Sequence, residues 1–254
     1  STHILRYVRI TNSGKLSDRY VTTQIKEASD PDRRSYGRLF CIVEIVTPWQ
    51  TGAQLGQTII NLTAREYFKN NDPDPLVRFE GALKKVNETL DQLAKTGETD
   101  WLEHLCATLA LQVDDSIHLA ATGKVYGWLI RSGLSSAVLD PSDGASTPGK
   151  TFSAVTSGQL EPGDRILLTS SGILTVLNHT ELATNIFAPD ELATAAVRLA
   201  NLLRAKRGQW VNAVLIELQS QETLANTPAY ALPDVLYLDA GSITDWRLLA
   251  KQTF

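Results

Sequence analysis

The segment that decides the fold is Leu160-Glu161-Pro162-Gly163-Asp164-Arg165-Ile166-Leu167-Leu168-Thr169-Ser170-Ser171-Gly172-Ile173. Its Pro162-Gly163 pair is typical of a tight turn, because proline fixes φ at its own position and glycine accepts positive φ. The short apolar run that follows, bounded by small and polar residues, predicts a buried strand. Ser170 and Ser171 then predict a second turn, since no nucleophile-type motif surrounds them.

Further strands are predicted on both sides of this segment. Two alternating stretches suit half-buried strands, and a nearly continuous apolar run that ends near Glu44 suits a central strand. The acidic pair Asp114-Asp115 predicts a tight turn between two strands, and Ser132-Gly133 predicts another hairpin. The predicted strands cover residues 4–10, 20–25, 39–46, 106–113, 117–122, 125–131, 134–139, 165–170 and 211–218.

Three helices are predicted between these strands. The first covers 53–68, and the second begins after Asp72-Pro73-Asp74-Pro75 and carries a single apolar stripe that ends near Gly97. The third is predicted to have Pro189 at its first position, with Asp190 and Glu191 in the first turn and Gly208 after its end. Strands and helices are therefore clustered rather than alternating. This order favours an α+β fold of antiparallel sheets with packed helices over a Rossmann or (β/α)8 fold.

Composition restricts the function classes. The chain of 254 residues has a net charge of −4, which argues against general affinity for nucleic acid. No stretch approaches 18 apolar residues, so no membrane segment is expected in this chain. Cys41 and Cys106 lie in apolar runs and read as core thiols, which fits a reducing, cytoplasmic location. Methionine is absent even at position 1, so a processed or excised chain is expected, and a missing flank could carry a membrane anchor.

Several segments together resemble the PPM family, the metal-dependent serine/threonine phosphatases of type 2C. They resemble, in order, the family's strand ending in Asp-Gly, its Gly-Thr-Thr strand with the Gly-Asp-Ser-Arg turn, its Pro-Gly-Asp turn with Ser-Asp-Gly-Leu, and its Asp-Asn-x-Thr-Val-Val strand. In this sequence they are 39–45 with Gly52, 106–109 through 126–133, 160–173 and 209–214. The resemblance implies a four-layer αββα sandwich of two antiparallel sheets flanked by helices. It assigns residues 1–218 to that domain and leaves 219–254 as a C-terminal extension or linker, either free of the domain or packed on it.

The departures from the family pattern concern its metal ligands. Family aspartates hold two Mg²⁺ or Mn²⁺ ions that activate a water. Here Glu44 stands at the Asp of Asp-Gly, Lys124 at the Asp of Gly-Asp-Ser-Arg, Ser171 at the Asp of Ser-Asp-Gly and Gln209 at the Asp of the last motif. The nearest match to the family's N-terminal Asn-Glu-Asp motif is Ser17-Asp18-Arg19, a poor one.

These replacements predict that the metal centre is lost. Mg²⁺ and Mn²⁺ need oxygen ligands, usually anionic ones, and two adjacent divalent ions facing one carboxylate would repel each other with little compensation. We therefore expect no metal ligands, no cofactor and no catalytic residues. Trp49 follows Thr47-Pro48 where the family has its glycine-rich metal loop, and a stiff loop there is expected to fill the former catalytic groove.

Three functional hypotheses follow. The first is a PPM-like pseudophosphatase with a regulatory role through a protein partner. The second is a divergent Mg- or Mn-dependent phosphoprotein phosphatase that uses Glu44 and Asp18. The third is a small-molecule sensor whose closed groove binds a ligand without turnover.

Overall fold

The computed structural model describes residues 3–47, 49–142, 147–187, 191–222 and 234–239, and only the backbone of Trp49. The strands are β1 (His3–Thr11), β2 (Tyr20–Glu27), β3 (Arg38–Ile45), β4 (Leu105–Val113), β5 (Ser116–Thr122), β6 (Tyr126–Arg131), β7 (Leu134–Leu139), β8 (Thr156–Gln159), β9 (Arg165–Thr169), β10 (Ala213–Ser220) and β11 (Val235–Tyr237). The helices are α1 (Trp49–Lys69), α2 (Pro75–Lys95), α3 (Ile173–Val176), α4 (His179–Asn185) and α5 (Leu192–Ala205).

The strands form two sheets. One has the order β11-β1-β10-β9-β6-β7 and the other the order β2-β3-β4-β5-β8. Every described pairing is antiparallel except that of β1 with β11, which is parallel. The α+β fold expected from the order of elements is confirmed.

Three apolar layers hold the sheets and helices together. One lies between α1, α2 and the five-stranded sheet, and includes Leu39, Tyr67 and Phe79. The second lies between the two sheets, and the third packs α3, α4 and α5 on the six-stranded sheet. Three buried interfaces between four layers are what an αββα sandwich requires, since each sheet here is apolar on both faces.

Local sequence explains most element boundaries. Helix α2 begins at Pro75 because the Asp74 carboxylate accepts a hydrogen bond from the Leu76 backbone N–H at 2.8 Å. The middle of its predicted stripe is buried while Leu76 and Leu93 at the two ends are half-buried, and Gly97 follows the helix with φ of +94°. Asp114 and Asp115 connect β4 to β5, and Ser132-Gly133 connects β6 to β7, as predicted.

Two helix starts and one strand differ from the prediction. Helix α1 begins at Trp49 rather than Ala53, so helix occupies the position where a stiff loop was expected; the side chain of Trp49 lies outside the described residues. A proline just before this point is compatible with a helix start, and nothing in 49–52 opposes one strongly. Helix α5 begins at Leu192, so Glu191 precedes it rather than lying in its first turn, while Pro189 and Asp190 are outside the described residues. The last long strand covers Ala213–Ser220, two residues later than predicted at each end.

Two short helices were not predicted. Helix α3 is a single turn, too short to show apolar periodicity. Helix α4 begins with a capping box in which Asn178 and Glu181 each accept a backbone N–H of the other. The Asn-x-x-Glu spacing was a signal for α4 in the sequence.

The C-terminal region contributes to the six-stranded sheet. Strand β11 extends the sheet beside β1, and the following Leu238 is buried in the layer that contains α5. The Asp239 carboxylate accepts hydrogen bonds from the backbone N–H and the hydroxyl of Ser13. Among the described residues, no helix is both long and apolar enough to cross a membrane.

Candidate functional site

Glu44 lies at the carboxyl-terminal end of β3 and points between the two sheets. Residues alternate along a strand, and Phe40 and Ile42 of β3 belong to the layer between the sheets while Val43 and Ile45 face the helices. Glu44 is therefore on the inter-sheet side, where it is fully buried. Its neighbour on β4 is Cys106. A buried carboxylate requires partners, because leaving it unpaired is costly.

The first partner is Arg19, which immediately precedes β2. Its Nη1 donates to Glu44 Oε1 at 2.9 Å, and its Nη2 lies 3.3 Å from Asp18 Oδ2. The guanidinium also lies over the indole ring of Trp210, 4.6 Å from the ring centroid. Arg19 is thus held in position by two carboxylates and one aromatic face.

The second partner comes from the other sheet. The backbone N–H of Ser171 donates to Glu44 Oε2 at 3.0 Å, so each carboxylate oxygen has its own donor. Ser171 can do this because the chain turns sharply at Gly172, where φ is +77°. A Cβ at Gly172 would lie 1.8 Å from Cη2 of Trp210, so only glycine allows this ring to cover the turn.

Burial and charge oppose each other at this pair. Burial raises the pKa of Glu44, against the lowering effects of the Ser171 hydrogen bond and the Arg19 charge. Burial lowers the pKa of Arg19, but Asp18 and Glu44 outweigh it, so the net shift of the Arg19 pKa is upward. Arg19 itself therefore remains a cation next to Glu44.

Lys124, which stands at another of the family's aspartate positions, lies in the turn between β5 and β6. Its side chain is exposed. Burial is the main cause of the raised pKa of the Cys106 thiol, and the Glu44 charge also raises it. Gly123, just before Lys124, has φ of +75°, and a Cβ there would lie 2.5 Å from the Leu105 carbonyl oxygen. The charge of Lys124 therefore acts on Cys106, the β4 neighbour of Glu44.

The other positions named from the sequence are less closely connected to Glu44. Asp18 pairs with Arg19 and is largely exposed, and its pKa is lowered mainly by that hydrogen bond. Gln209 is half-buried in the turn before Trp210, and it makes no hydrogen bond with Glu44, Ser171 or Lys124 in the part of the chain that the structure describes.

A group of buried polar side chains also joins the two sheets, and the sequence did not reveal it. The Asn212 side-chain amide donates to Thr23 Oγ1 at 2.9 Å, and Asn212 and Ser170 exchange two hydrogen bonds of 2.9 Å. Arg19 was also missed as a site residue, although a cation at the third position of the degenerate Asn-Glu-Asp match was a visible signal. Within the described ranges, no group of three or more His, Cys, Asp or Glu side chains could hold a metal ion.

The comparisons with known proteins agree with this architecture. PstP of Mycobacterium tuberculosis is 18% identical, with a TM-score of 0.61, covering 85% of this chain and 99% of its own. The PstP catalytic domain in complex with two manganese ions is also 18% identical, with a TM-score of 0.62. The match covers 86% of this chain and 100% of that one. The phosphatase domain of SpoIIE from Bacillus subtilis is 16% identical, with a TM-score of 0.53. The match covers 91% of this chain and 96% of that one.

No family model matches the chain, and no curated protein matches it. The similarity is therefore one of fold. The chain has the fold of the PPM-type serine/threonine phosphatases, as the resemblance implied.

Proposed function

We propose that this chain is a PPM-type pseudophosphatase domain, without binuclear metal catalysis, that acts in the cytoplasm as a regulatory, protein-binding module. One observation carries the proposal: both carboxylate oxygens of Glu44 are engaged, one by Arg19 and one by the Ser171 N–H. In the family the equivalent carboxylate faces metal ions, whereas here a guanidinium supplies the opposing positive charge.

The charge balance disfavours a divalent ion. A doubly charged ion about 5 Å from the guanidinium would be repelled by roughly 7 kcal/mol at an effective dielectric of about 20. Lys124, Ser171 and Gln209, which stand where the family has aspartates, add no negative charge. One buried carboxylate with a cation already in contact does not provide the anionic oxygen set that Mg²⁺ or Mn²⁺ needs.

The surrounding structure supports a binding role. The three apolar layers are intact, so the loss of ligands has not been accompanied by loss of the scaffold. Both cysteines are buried and unbridged, which fits a reducing compartment. A folded domain without a metal centre can still bind a protein partner through its surface.

The test is calorimetric titration with Mn²⁺, together with hydrolysis of p-nitrophenyl phosphate in the presence of Mn²⁺. We expect no two-site binding and no Mn²⁺-dependent turnover, with the manganese-binding PstP catalytic domain as positive control. A quadruple variant that restores acids, Arg19→Asp, Lys124→Asp, Ser171→Asp and Gln209→Asp, should gain Mn²⁺ affinity. Two-site binding or turnover by the unmodified chain would support the divergent phosphatase instead.

The binding role requires a separate test. Affinity capture with the purified chain should recover the same protein partner in Mn²⁺ and in EDTA, because the proposed interaction does not involve a metal centre. A partner retained only with Mn²⁺ would contradict the proposal.

A further inference from the structure

A cavity of about 280 Å³ lies between the amino-terminal half of α1, the carboxyl-terminal end of α2 and the segment 97–101. Ile45 and Leu55, both buried, contribute to its apolar lining together with Leu93 and Trp101. This volume lies just below the range of about 300–1,000 Å³ for ligand pockets, which restricts any ligand to a compact molecule.

The cavity is separate from the Glu44 site. Glu44 and Ile45 are consecutive on β3, and their side chains point to opposite faces of the sheet. Glu44 faces the layer between the sheets, while Ile45 faces α1 and α2. The cavity therefore lies across β3 from the Arg19–Glu44 pair, and a ligand there would not contact that pair.

The charged side chains that line the cavity in the described part of the chain are all acidic. The neutral polar side chains around the apolar interior are Thr47, Thr51, Gln54, Thr58 and Thr89. Among the described lining residues the charged ones are Glu98 and Asp100, both acidic and exposed. The indole N–H of Trp101 donates to the Glu98 carbonyl oxygen at 2.7 Å, so this donor is already used and the ring offers apolar surface.

The helices reinforce this pattern. The first charged residue of α1 is Arg65, so the whole part of α1 that borders the cavity is uncharged. Helix α2 presents its carboxyl-terminal end to the cavity, and that end carries partial negative charge from its dipole. No basic side chain of the described lining competes for the two acids.

We propose that this cavity binds a small organic cation with a compact aromatic or branched apolar body and one amino group. The apolar body lies against Ile45, Leu55 and Trp101, where burial of apolar surface drives association. The ammonium group lies at the rim near Glu98 and Asp100, where both carboxylates and the end of α2 attract it.

The experiment uses three matched probes: phenethylamine, the neutral 2-phenylethanol and the anionic 3-phenylpropionate. Each is titrated into the isotopically labelled chain while NMR records the Trp101 indole N–H and the Gly52 and Gly97 amides. We expect saturable shifts at these positions with phenethylamine in the millimolar range. The affinity should be about tenfold lower for the alcohol and lower still for the acid.

Two sets of variants make the proposal falsifiable. Thr58→Phe places a ring into the cavity from an exposed position and should abolish phenethylamine binding, whereas Asn61→Phe, exposed on the same helix but outside the lining, should not. The double variant Glu98→Gln and Asp100→Asn should bind amine and alcohol equally. Absence of saturable shifts would overturn the site, and equal affinity of the unmodified chain for the amine and the acid would overturn the ligand class. Either result is independent of the Mn²⁺ experiments.

Discussion

At the residue scale, the chemistry of the site depends on how Glu44 is neutralised. A buried carboxylate such as Glu44 is costly unless a positive charge or hydrogen-bond donors compensate it. This chain uses Arg19, which reaches Glu44 from the start of the neighbouring strand, and the N–H of Ser171 from the opposite sheet. Removing one member of such a buried pair leaves the other uncompensated, so the loss of either side chain is expected to lower the stability of the fold.

The raised pKa of Glu44 predicts a specific pH dependence. Because burial holds its folded-state pKa above the ordinary value of 4.5, the unfolded chain releases this proton more readily, and ionising Glu44 costs stability as pH rises above 4.5. The unfolding free energy of the parent chain minus that of Glu44→Gln should therefore fall as pH rises from about 4 to about 8, measured by urea denaturation.

Glu88 provides the control for that experiment. It is exposed, and its pKa is lowered mainly by its hydrogen bond with Lys85, so the corresponding difference for Glu88→Gln should rise slightly with pH. If the Glu44 difference also rose with pH, Arg19 and Ser171 would outweigh burial and the stated direction would be wrong.

At the element scale, α1 lies unusually close to β2. Gly52 and Gly56 both face Tyr20, whose ring fills the space between helix and strand and whose hydroxyl accepts a hydrogen bond from Gln57 Nε2 at 2.7 Å. Tyr20 directly follows Arg19, the residue that pairs with Glu44. The contact of Tyr20 with α1 therefore holds the backbone next to Arg19 in place. Tyr20 therefore contributes both to the packing of α1 and to the position of Arg19 in the site.

Substitution of Gly52 tests this contact. A Cβ at Gly52 would lie 2.6 Å from Tyr20 Cβ, an atom that cannot move without the backbone. Gly52→Ala should lower the unfolding free energy by about 1–3 kcal/mol, despite the better helix propensity of alanine. Chemical denaturation measures the change.

Gly81 in α2 is the matched control. It is exposed, and a Cβ there would meet only Asn70 Nδ2 at 3.7 Å, so Gly81→Ala should raise stability by about 0.5–1 kcal/mol. Equal stabilisation by both substitutions would show that α1 and β2 are not in close contact.

At the scale of the whole molecule, the chain beyond residue 218 takes part in the fold. Strand β10 continues to Ser220, and β11 adds a parallel edge strand that positions Leu238 in the layer under α5. The division of the chain into a domain of 1–218 and an extension of 219–254 remains a prediction. We propose that residues 234–239 belong to the domain's stable unit.

Leu238→Ala tests that proposal. Leu238 is 1% exposed, so its truncation should cost about 2–4 kcal/mol of unfolding free energy, whereas Tyr237→Ala, at a position 42% exposed, should cost much less. Thermal or urea unfolding would compare the two variants. If Leu238→Ala left the unfolding free energy unchanged, residues 234–239 would not belong to the stable unit of the domain.

Much of the fold could be predicted from local sequence. The Pro162-Gly163 turn, the two hairpins and the stripe of α2 depend on interactions between near neighbours, and the structure confirms them. Element starts were less predictable, because α1 and α5 begin where several residues tolerate either helix or loop. The single-turn α3 had no periodicity to reveal it.

The sequence by itself, through its resemblance to the PPM family, predicts that Glu44, Lys124, Ser171 and Gln209 stand where the family has aspartates. Only the tertiary structure decided how Glu44 is satisfied. Arg19 is 25 residues away from it and Ser171 is 127, on a different sheet. Contacts of that separation arise from the packing of two sheets face to face, and no local pattern of residues encodes them.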